Sequence, residues 1–538
     1  MRLNLNSLND LKALSPKNVI DSINSGEELA LIDLREEGIF GEGHLLFAVS
    51  LPLSRLEHLI DDLVPRLDVP IVLCVGGSMD FDLVLIGAER LSLFGYKDIS
   101  YLDGGLSSWA EAGFEVFSGV NVPSKAFGEV IETRFSTPHI SAIELQAMKD
   151  RKDNFVIVDT RPMSEFNNMS IPGGIDVPGA ELVLHIHDIA PDPKTTVVVN
   201  CAGRTRSIIG AQSLINAGIP NRVVALENGT MGWHLAGYEL DTGQKKSFSP
   251  LTDNGLIRAD ECASRVANRF GVTEISTSIL NQWRNDKTRT LYVLDVRSVS
   301  EFNLGHLSDA KPAPGGQLIQ ATDQFIGVRC ARLVLVDDNC VRARMTASWL
   351  VQMGWKDVYV LSDGIAGEPL INGPHQPKIL GLKGAMPQTI EPKELADLML
   401  EKNICIIDLA NSRHYRKSHI PTSYFSLRRK LEDNLAKIPD MSKIVLTSPK
   451  GISARLGALE ISGREVLVLA GGSLAWKNAG LPLATGFEDS FDDPVDVWYR
   501  PYDLDEGTEE AMQSYLSWEV DLTKQIERDG TTNFPRFL

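Results

Sequence analysis

The stretch Val197-Val198-Val199-Asn200-Cys201-Ala202-Gly203-Arg204-Thr205-Arg206-Ser207 joins a β-branched run to a short basic loop. The run predicts a buried strand, and the apolar spacing from Ile208 to Leu214 predicts a helix directly after the loop. Loop N–H groups and aligned peptide dipoles at a helix N-terminus favour negative charge. The sequence therefore predicts a strand that delivers the Cys201 thiol into an anion-binding cup.

We expect the pKa of the Cys201 thiol to be depressed in such a cup, and Arg204 and Arg206 to lower it further. Most free cysteines are buried and serve only as packing. Cys201, however, stands where the apolar run ends and a polar loop begins. A chemical role is therefore the stronger interpretation of this residue.

The same order of elements occurs four times along the 538 residues. Each unit has an apolar strand ending in Asp, a second strand before a loop and an amphipathic helix. A third strand then runs into a glycine turn, as in LDGGLSSW, LENGTMGW, LSDGIAGE and LAGGSLAW. Such alternation implies parallel sheets with helices on both faces. The predicted fold class is α/β, with four tandem domains of this kind.

Lapses in this pattern predict linkers at about 118–130, 244–268 and 373–388. The predicted domains are therefore 10–118, 130–244, 268–374 and 388–485, followed by a tail over 486–538. Residues 487–510 are rich in acidic side chains, which is typical of a solvated arm. The imperfect apolar stripe of Met512, Tyr515, Leu516, Val520, Leu522 and Ile526 predicts a C-terminal helix docked on a neighbouring domain, with a lid or a dimer contact as the alternative.

Several recurring residues have structural explanations. Asp33, Asp159 and Asp295 each precede an arginine by two positions, and Asp408 ends the equivalent strand of the fourth unit. For Asp33, Asp295 and Asp408 we favour a structural role, in which the Asp caps the following turn and the Arg, where present, pairs across it. The residues Trp109, Trp233 and Trp476 are expected in the cores. His44, His306 and His419 lie in loops, and the second unit has Ser170-Ile171-Pro172 instead. A histidine general base shared by all four units is therefore excluded.

Composition narrows the possible partners and location. With 53 basic and 71 acidic residues the net charge is −18, whereas nucleic-acid and anionic-membrane binders need basic surface. No apolar run is long enough for a membrane span, and the first residues lack the apolar core of a secretory leader. The six cysteines form no CxxC pair and no ligand-spaced cluster. We therefore expect a cytoplasmic protein with no metal, no organic cofactor, no nucleic acid and no membrane partner.

The segments DTRPMSEF, NCAGRTRS and LENGTMGW, with weaker copies in the other units, resemble the rhodanese domains of the sulfurtransferase superfamily. The resemblance covers roughly residues 10–485 and implies a tandem four-domain rhodanese. It implies that Cys201 is the nucleophile and that the loop after it cradles an anionic substrate, the loop being Ala202, Gly203, Arg204, Thr205, Arg206 and Ser207. It further implies that Cys201 takes a sulfane sulfur from a small anionic donor such as thiosulfate and passes it to a thiol, including a protein thiol, or to cyanide.

When the other units are matched to this segment, the third and fourth have no cysteine at the position of Cys201. Helix landmarks place Asp337 opposite Cys201, and strand matching places Ser448 there in the fourth unit. A carboxylate cannot form a persulfide and an unactivated hydroxyl does not replace a thiol. Cys74 lies one strand position early and is followed by a longer, acidic loop with no flanking arginine, which favours a structural role. We therefore predict one working site, in the second unit.

Two other functions compete with sulfur transfer. Cysteine phosphatases on this fold have a loop one residue longer and commonly a histidine where Asn200 stands, so a phosphatase is the weaker alternative. The array of degenerate units also suits a non-catalytic sulfur carrier or scaffold. The basic loop around Cys201 favours catalysis, because a binding module does not need it.

Overall fold

A computed structural model describes residues 11–382, 386–401, 403–439, 443–504 and 506–537. Residues 1–10 lie outside these ranges. They include the predicted first residue of the first domain, residue 10, and most of the segment considered for a secretory leader. The described residues contain four five-stranded sheets with the same strand order, β1-β5-β4-β2-β3 in the first and its counterparts in the others. Every neighbouring pair of strands is parallel. The predicted α/β class is confirmed.

The first two repeats are joined by one helix, α6. The first contains β1 (Lys12–Leu14), α1 (Pro16–Asn24), β2 (Ala30–Asp33), α2 (Glu37–Glu42), β3 (Val49–Ser50), α3 (Leu56–Leu63), β4 (Ile71–Cys74), α4 (Phe81–Leu93), β5 (Ile99–Leu102) and α5 (Gly105–Glu111), followed by α6 (Val122–Phe135). The second contains β6 (His139–Ile140), α7 (Ala142–Arg151), β7 (Phe155–Asp159), α8 (Met163–Asn168), β8 (Ile175–Asp176), α9 (Glu181–Ile189), β9 (Thr196–Asn200), α10 (Thr205–Ala217), β10 (Val223–Leu226) and α11 (Gly229–Leu235).

The last two repeats are preceded and followed by long helices. After α12 (Asp253–Phe270) come β11 (Thr273–Ile275), α13 (Thr277–Asn285), β12 (Leu291–Asp295), α14 (Val299–Leu304), β13 (Lys311–Pro312), α15 (Gly315–Gln320), β14 (Arg332–Val336), α16 (Val341–Gln352) and β15 (Val358–Leu361). The fourth repeat contains β16 (Thr389–Ile390), α17 (Pro392–Leu398), β17 (Ile404–Asp408), α18 (Ser412–Lys417), β18 (Ser423–Phe425), α19 (Leu431–Leu435), β19 (Lys443–Thr447), α20 (Ile452–Glu460), β20 (Val466–Leu469) and α21 (Gly472–Asn478), and the chain closes with α22 (Thr508–Asp529).

The chain forms two compact units, and the repeats do not pair in sequence order. One unit consists of residues up to 19, 30–120 and 377–499, and therefore holds the first and fourth repeats. The other consists of residues 20–29, 121–376 and 500–538, and holds the second and third repeats together with α22. The sequence pattern did not indicate that the tail divides between the two units near residue 500.

The strand that precedes Cys201 is buried on both faces of its sheet. Val197 and Val199 pack in one apolar cluster, and Val198 between them packs in another. Successive side chains of a strand point to opposite faces, so a continuous Val run is what a strand covered by helices on both sides requires. This burial fixes where β9 ends and hence where Cys201 emerges.

The structural role predicted for Asp33, Asp295 and Asp408 is confirmed, because each carboxylate accepts a hydrogen bond from the backbone N–H two residues later. Asp159 of the second repeat makes the same turn. The Asp159 carboxylate accepts hydrogen bonds from the Arg161 backbone N–H (3.1 Å) and from the Arg161 Nε (2.8 Å). The Arg161 guanidinium also donates to the Met169 carbonyl oxygen. Arg161 is fully buried, so this pair supports the fold rather than a ligand.

The recurring histidines and tryptophans are also structural. His44, His306 and His419 are buried and stack on an aromatic ring one turn earlier in the chain, with ring centroids 3.6–3.9 Å apart. Trp109, Trp233 and Trp476 are buried, and each donates its indole N–H to a carbonyl oxygen six residues ahead. None of these side chains is available as a general base shared between repeats.

Two predicted linkers are helices. α6 occupies most of 118–130, and α12 occupies most of 244–268, so the predicted domain boundaries at 130 and 268 fall inside helices. α6 was missed because its buried face includes Lys125 and Glu129, which removes the apolar stripe that identifies a docked helix. Buried charges of this kind are satisfied by residues that are distant in sequence, which no local pattern shows.

The prediction of a solvated acidic arm over 487–510 is wrong for its central residues. The Asp492 carboxylate is buried and accepts hydrogen bonds from the Leu427 N–H (2.9 Å) and the Asn434 amide (2.7 Å). The Asp496 carboxylate, also buried, accepts one from the Ser412 N–H at 2.8 Å. These carboxylates satisfy backbone donors of the fourth repeat, so the arm is packed on that domain.

Candidate active site

Cys201 is the first residue after β9, and its side chain is only 2 % exposed. The loop after it turns directly into α10, which begins at Thr205. The carbonyl oxygens of Cys201 and Ala202 accept hydrogen bonds from the N–H groups of Thr230 (2.8 Å) and Met231 (2.9 Å) at the start of α11. Two helix N-termini therefore meet at the thiol, as the strand–loop–helix pattern predicts for α10.

The loop forms a cup of unpaired amides. Within the described part of the chain, the backbone N–H groups of residues 202–206 have no acceptor in the protein. Unpaired N–H groups at a helix N-terminus are donors that a bound anion can satisfy. The cup can therefore hold the oxygens of an oxyanion beside the Cys201 sulfur.

A single glycine permits this close approach. Gly229 has φ of +54°, and a Cβ on it would lie 2.7 Å from the Gly203 carbonyl oxygen and closer still to that of Cys201. Gly105, Gly364 and Gly472 occupy the corresponding turns of the other repeats, also with positive φ and in contact with the equivalent carbonyl. The glycine of the repeated turn motif thus serves to bring α11 against the loop.

The predicted depression of the Cys201 pKa is wrong. Burial raises the pKa of the Cys201 thiol, and the opposing effects of the Arg206 charge and of polar contacts with Ser207 do not offset it. The nearby Asp159 carboxylate raises it further. The sequence indicated positive charge near the thiol but not how completely the tertiary structure covers it.

Arg204 does not face the thiol. Its guanidinium forms a bidentate ion pair with Glu129 on α6, with both N–O distances 2.8 Å, and it also pairs with Glu132. A further hydrogen bond joins it to the Asn228 side chain at 3.3 Å. Because Arg204 is neutralised by two carboxylates, its role here is to fasten the loop to α6.

Arg206 lies closer to the reacting centre and links two repeats. It pairs with Glu165 of the second repeat at 2.8 Å and donates a hydrogen bond to the Gln317 side chain of the third repeat at 3.2 Å. Its charge is the largest of the effects that lower the pKa of the Cys201 thiol. The third repeat therefore contributes to the wall of the site through α15.

The remaining loop residues shape the cup. Thr205 is buried with its methyl group against Gly128 of α6, and its hydroxyl oxygen has no hydrogen-bond partner. The Ser207 hydroxyl donates to the Arg204 carbonyl oxygen at 2.8 Å, which holds the turn closed. Gly203 faces outward towards α22 and Met231.

The C-terminal helix α22 covers the loop after Cys201; the sequence predicted that this helix docks but not that it docks on this loop. A Cβ on Gly203 would lie 3.3 Å from the Glu519 carboxylate and 3.6 Å from the Tyr515 ring. Met512 and Leu516 of the same helix pack against Met231 in one apolar cluster. The predicted docking helix is confirmed, although Val520, assigned to its buried stripe, is 46 % exposed and the buried face includes Glu519.

A buried lysine and a buried carboxylate meet on this cover. Lys125 of α6 lies over the rings of Tyr515 (4.8 Å) and Trp518 (4.7 Å), and burial lowers the pKa of Lys125 to about 8. Burial likewise raises the pKa of Glu519 to about 7, although its Oε1 accepts a hydrogen bond from the Tyr515 hydroxyl at 2.9 Å. These two charges balance each other above the cup.

The same backbone hydrogen bond fixes the register of all four repeats. In the second repeat the Thr230 N–H donates to the Cys201 carbonyl oxygen. The equivalent hydrogen bonds of the other repeats run from Leu106 to Val75, from Ile365 to Asp337 and from Ser473 to Ser448. Val75 thus stands at the thiol position of the first repeat, and Cys74 is one residue earlier with its side chain in the core. Cys74 has its thiol pKa raised by burial.

In the third repeat a carboxylate fills the cup from within. The Asp337 side chain accepts hydrogen bonds from the backbone N–H groups of Cys340 (2.6 Å), Arg342 (3.0 Å) and Ala343 (3.3 Å). The amides of Cys340 and Arg342 correspond to those of Arg204 and Arg206, which are free in the second repeat, and here they are satisfied without a ligand. In the fourth repeat the Ser448 hydroxyl makes a single such contact, with the Ala454 N–H at 3.3 Å.

Searches for a metal site and for a membrane helix give two further findings. No group of three or more His, Cys, Asp or Glu side chains in the described ranges is arranged to hold a metal ion. No described helix has both the length and the apolar character needed to cross a bilayer.

Comparisons with known proteins identify the family. A profile of the rhodanese-like domain matches residues 15–112, 141–236, 276–367 and 391–479. The crystal structure of a thiosulfate sulfurtransferase from Pseudomonas aeruginosa is 45% identical over 98% of this chain and 100% of that one, with a TM-score of 0.93. A rhodanese-related protein from Thermoplasma volcanium is 16% identical over 18% of this chain and 97% of that one (TM-score 0.17), and EanB is 15% identical over 70% and 100% (TM-score 0.25). No curated protein matched the chain. The chain belongs to the rhodanese family, and it carries four rhodanese-like domains.

Proposed function

We propose that this chain is a sulfurtransferase that moves a sulfane sulfur from thiosulfate to a thiol or cyanide through a persulfide on Cys201. The observation that carries the proposal is the group of five unpaired amides, residues 202–206, beside Cys201, which among the described repeats is the one cysteine at the position that Val75, Asp337 and Ser448 occupy in the others. The likeness to a thiosulfate sulfurtransferase over nearly the whole chain supports the same donor.

The reaction proceeds by double displacement. The Cys201 thiolate attacks the outer sulfur of thiosulfate, the S–S bond of the donor breaks, and sulfite leaves with the bonding electron pair. The cup amides donate to the departing oxyanion and then to the terminal sulfur of the persulfide. An acceptor thiolate or cyanide then attacks that terminal sulfur and releases the Cys201 thiolate. No external oxidant or reductant is consumed, and the kinetics are ping-pong.

We further propose that the first, third and fourth repeats do not catalyse. Val75, Asp337 and Ser448 stand at their thiol positions, and none of these side chains can form a persulfide. Cys340, three residues after Asp337, is buried with its thiol directed at the Leu361 carbonyl oxygen. Apart from the boundaries at 130 and 268, which fall inside α6 and α12, the domain limits predicted from the sequence remain part of this proposal.

Thiosulfate is proposed in preference to 3-mercaptopyruvate because it carries more negative charge. The amides, rather than paired guanidinium groups, supply most of the attraction, since Arg204 and Arg206 are each neutralised by carboxylates. All six cysteines are free thiols, which supports a reducing compartment such as the cytoplasm as the proposed location.

Intact-protein mass spectrometry tests the proposal directly. Thiosulfate should add the mass of one sulfur atom to the full chain, with release of one sulfite, and peptide mapping should place the sulfur on Cys201. A scaffold or sulfur carrier that takes no sulfur from a small donor would show neither mass change nor sulfite. Hydrolysis of an aryl phosphate with no sulfur adduct would instead favour the phosphatase alternative.

The raised pKa of the Cys201 thiol predicts the pH dependence of the first half-reaction. Only the thiolate attacks, so the rate of sulfite release should rise with pH through neutrality and continue to rise above the usual thiol pKa. Arg206→Gln removes a charge that lowers this pKa, so the rising limb should move to higher pH and the KM for thiosulfate should increase. Single-turnover sulfite release measured across pH checks both expectations.

Arg204→Gln is the matched control for that measurement. Arg204 is paired with Glu129 and Glu132, so its loss should lower the free energy of unfolding. The pH range over which the rate of sulfite release rises should stay near that of the unmodified protein. The double variant should carry an increased KM for thiosulfate, most of it from Arg206, because its loss leaves the Glu165 carboxylate without its cation beside the anion site. An unchanged KM in the double variant, or an equal limb shift in both single variants, would contradict the proposed role of Arg206.

A further inference from the structure

The tail of the chain brings a third arginine to the candidate active site. Arg500 is the first tail residue in the compact unit that holds Cys201, and a 3-10 turn over Pro501–Asp503 follows it before α22. Arg500 and Tyr502 are partly exposed, so a solute can reach both side chains. Neither side chain takes part in the reaction as described so far.

Contacts place Tyr502 beside the loop after Cys201. Tyr502 packs against the apolar cluster that contains Met231. The Met231 backbone N–H donates to the Ala202 carbonyl oxygen at 2.9 Å, and a Cβ on Gly203 would lie 2.8 Å from the Met231 methyl group. Tyr502 is therefore separated from the amide cup by a single side chain.

The charge of Arg500 acts on the same groups as that of Arg206. Burial raises the pKa of Glu165, but the charge of Arg206, followed by that of Arg500, lowers it to about 2. Burial lowers the pKa of Lys125, and the charges of Arg500 and Arg206 lower it further. Because the interaction of two charges weakens with distance, Arg500 lies in the neighbourhood of the Arg206–Glu165 pair.

Arg500 differs from the two arginines of the loop in its partners. Arg204 and Arg206 are each paired with carboxylates. Among the residues that the structure describes, no carboxylate lies within ion-pairing distance of the Arg500 guanidinium, which donates instead to the Tyr502 hydroxyl at 3.0 Å. The nearby Asp503 carboxylate accepts the Arg500 backbone N–H at 3.0 Å. Arg500 thus supplies a positive charge that no ion pair cancels.

An uncancelled positive charge matters for an anionic substrate of this chain. The net charge of −18 repels anions at long range, so a local cation is needed to attract one. The cup amides donate to atoms beside the Cys201 sulfur, whereas a guanidinium outside the cup can donate to a further oxygen of the same anion. The Tyr502 hydroxyl accepts from Arg500, and its own proton has no acceptor in the described ranges.

We propose that Arg500, oriented by Tyr502, is a substrate-binding residue of the Cys201 site that favours doubly charged sulfur donors over singly charged ones. Its guanidinium donates to a donor oxygen that the cup does not hold, and it keeps this contact with the sulfite that leaves. The inference rests on the proposed sulfur transfer, to which it adds the residue that distinguishes donors by charge.

Calorimetric binding to full-length chains that carry Cys201→Ser tests recognition without the chemistry. The probes are thiosulfate, a dianion, and methanethiosulfonate, which keeps the outer sulfur but has one charge. Arg500→Gln should weaken thiosulfate by about tenfold, because a charge-assisted hydrogen bond is lost. It should weaken methanethiosulfonate by less than about threefold, because one negative charge interacts less strongly with the guanidinium.

Two conservative variants separate charge recognition from a structural effect. Arg500→Lys keeps the charge and loses the planar fork, so it should restore part of the preference for thiosulfate. Tyr502→Phe keeps the ring in its apolar cluster and removes the hydroxyl that orients Arg500, so it should reduce the same preference. Arg222→Gln is the matched control and should change neither affinity, since Arg222 is exposed at the start of β10, beside the first residues of β9.

Equal weakening of the two probes in Arg500→Gln would overturn the proposal, because a mere disturbance of the tail would have that result. An unchanged thiosulfate affinity in this variant, or no saturable thiosulfate binding when Arg500 is present, would overturn it as well. Persulfide formation is measured by mass on the chain with Cys201 intact. A persulfide without the charge preference would refute only the role of Arg500, whereas a charge preference without a persulfide would refute sulfur transfer.

Discussion

Cys201→Ser is expected to abolish sulfite release from thiosulfate, with a loss of at least about a thousand-fold in kcat/KM. The substitution leaves the amide cup in place and changes only the atom that accepts sulfur. A serine hydroxyl beside a loop without a general base is not ionised near neutral pH. Donor binding should therefore survive while turnover is lost, which sulfite release and equilibrium binding of thiosulfate measure together.

Two other cysteines provide controls for this experiment. Cys74 is buried in β4, and the pKa of Cys340 is raised to about 12 by burial and the adjacent Asp337. Cys74→Ser and Cys340→Ser should keep normal turnover once corrected for the fraction of folded protein. Loss of turnover in either variant with Cys201 intact, or activity retained in Cys201→Ser, would assign the chemistry to a different thiol.

Gly229→Ala is expected to disrupt both stability and catalysis. The added Cβ would lie against the carbonyl oxygens of Cys201 and Gly203, which are backbone atoms that no rotamer change can move. The positive φ of +54° adds its own strain for a residue with a side chain. We expect a loss of about 2 to 4 kcal/mol in unfolding free energy together with a displaced cup. Chemical denaturation and steady-state kinetics measure the two effects.

Gly237→Ala separates backbone strain from steric conflict. Gly237 also has a positive φ, of +81°, but a Cβ there would meet nothing within 4 Å. Its substitution should cost only about 1 kcal/mol and leave kcat/KM near that of the unmodified protein. If Gly229→Ala behaved no worse than Gly237→Ala, the proposed role of Gly229 in bringing α11 against the loop would be incorrect.

Local patterns were sufficient to predict the repeat, the fold class and the strand–loop–helix geometry at Cys201. The Val197–Val199 run shows burial on both faces, because strand side chains alternate and helices cover both sides. The repeated glycine turn after the third strand was also visible in the sequence. Each of these patterns spans only a few residues, so it can be recognised in a single sequence.

Electrostatic partners could not be predicted in the same way. Arg204 was expected to lower the thiol pKa, but its partner Glu129 lies 75 residues away on a helix whose buried charges hide it from pattern analysis. Arg206 meets Gln317 across 111 residues of sequence. Whether an arginine activates a thiol or neutralises a carboxylate depends on which groups folding brings within a few ångströms of it.

The sequence by itself determined that the chain repeats one α/β unit four times and that a single unit ends its central strand in a thiol before a basic, helix-initiating loop. The tertiary structure alone decided that this thiol is buried, that α22 covers its loop, and that Arg206 joins the second repeat to the third through Gln317. The reason is physical: strand and helix formation depend on neighbours in sequence, whereas burial and ion pairing depend on long-range contacts.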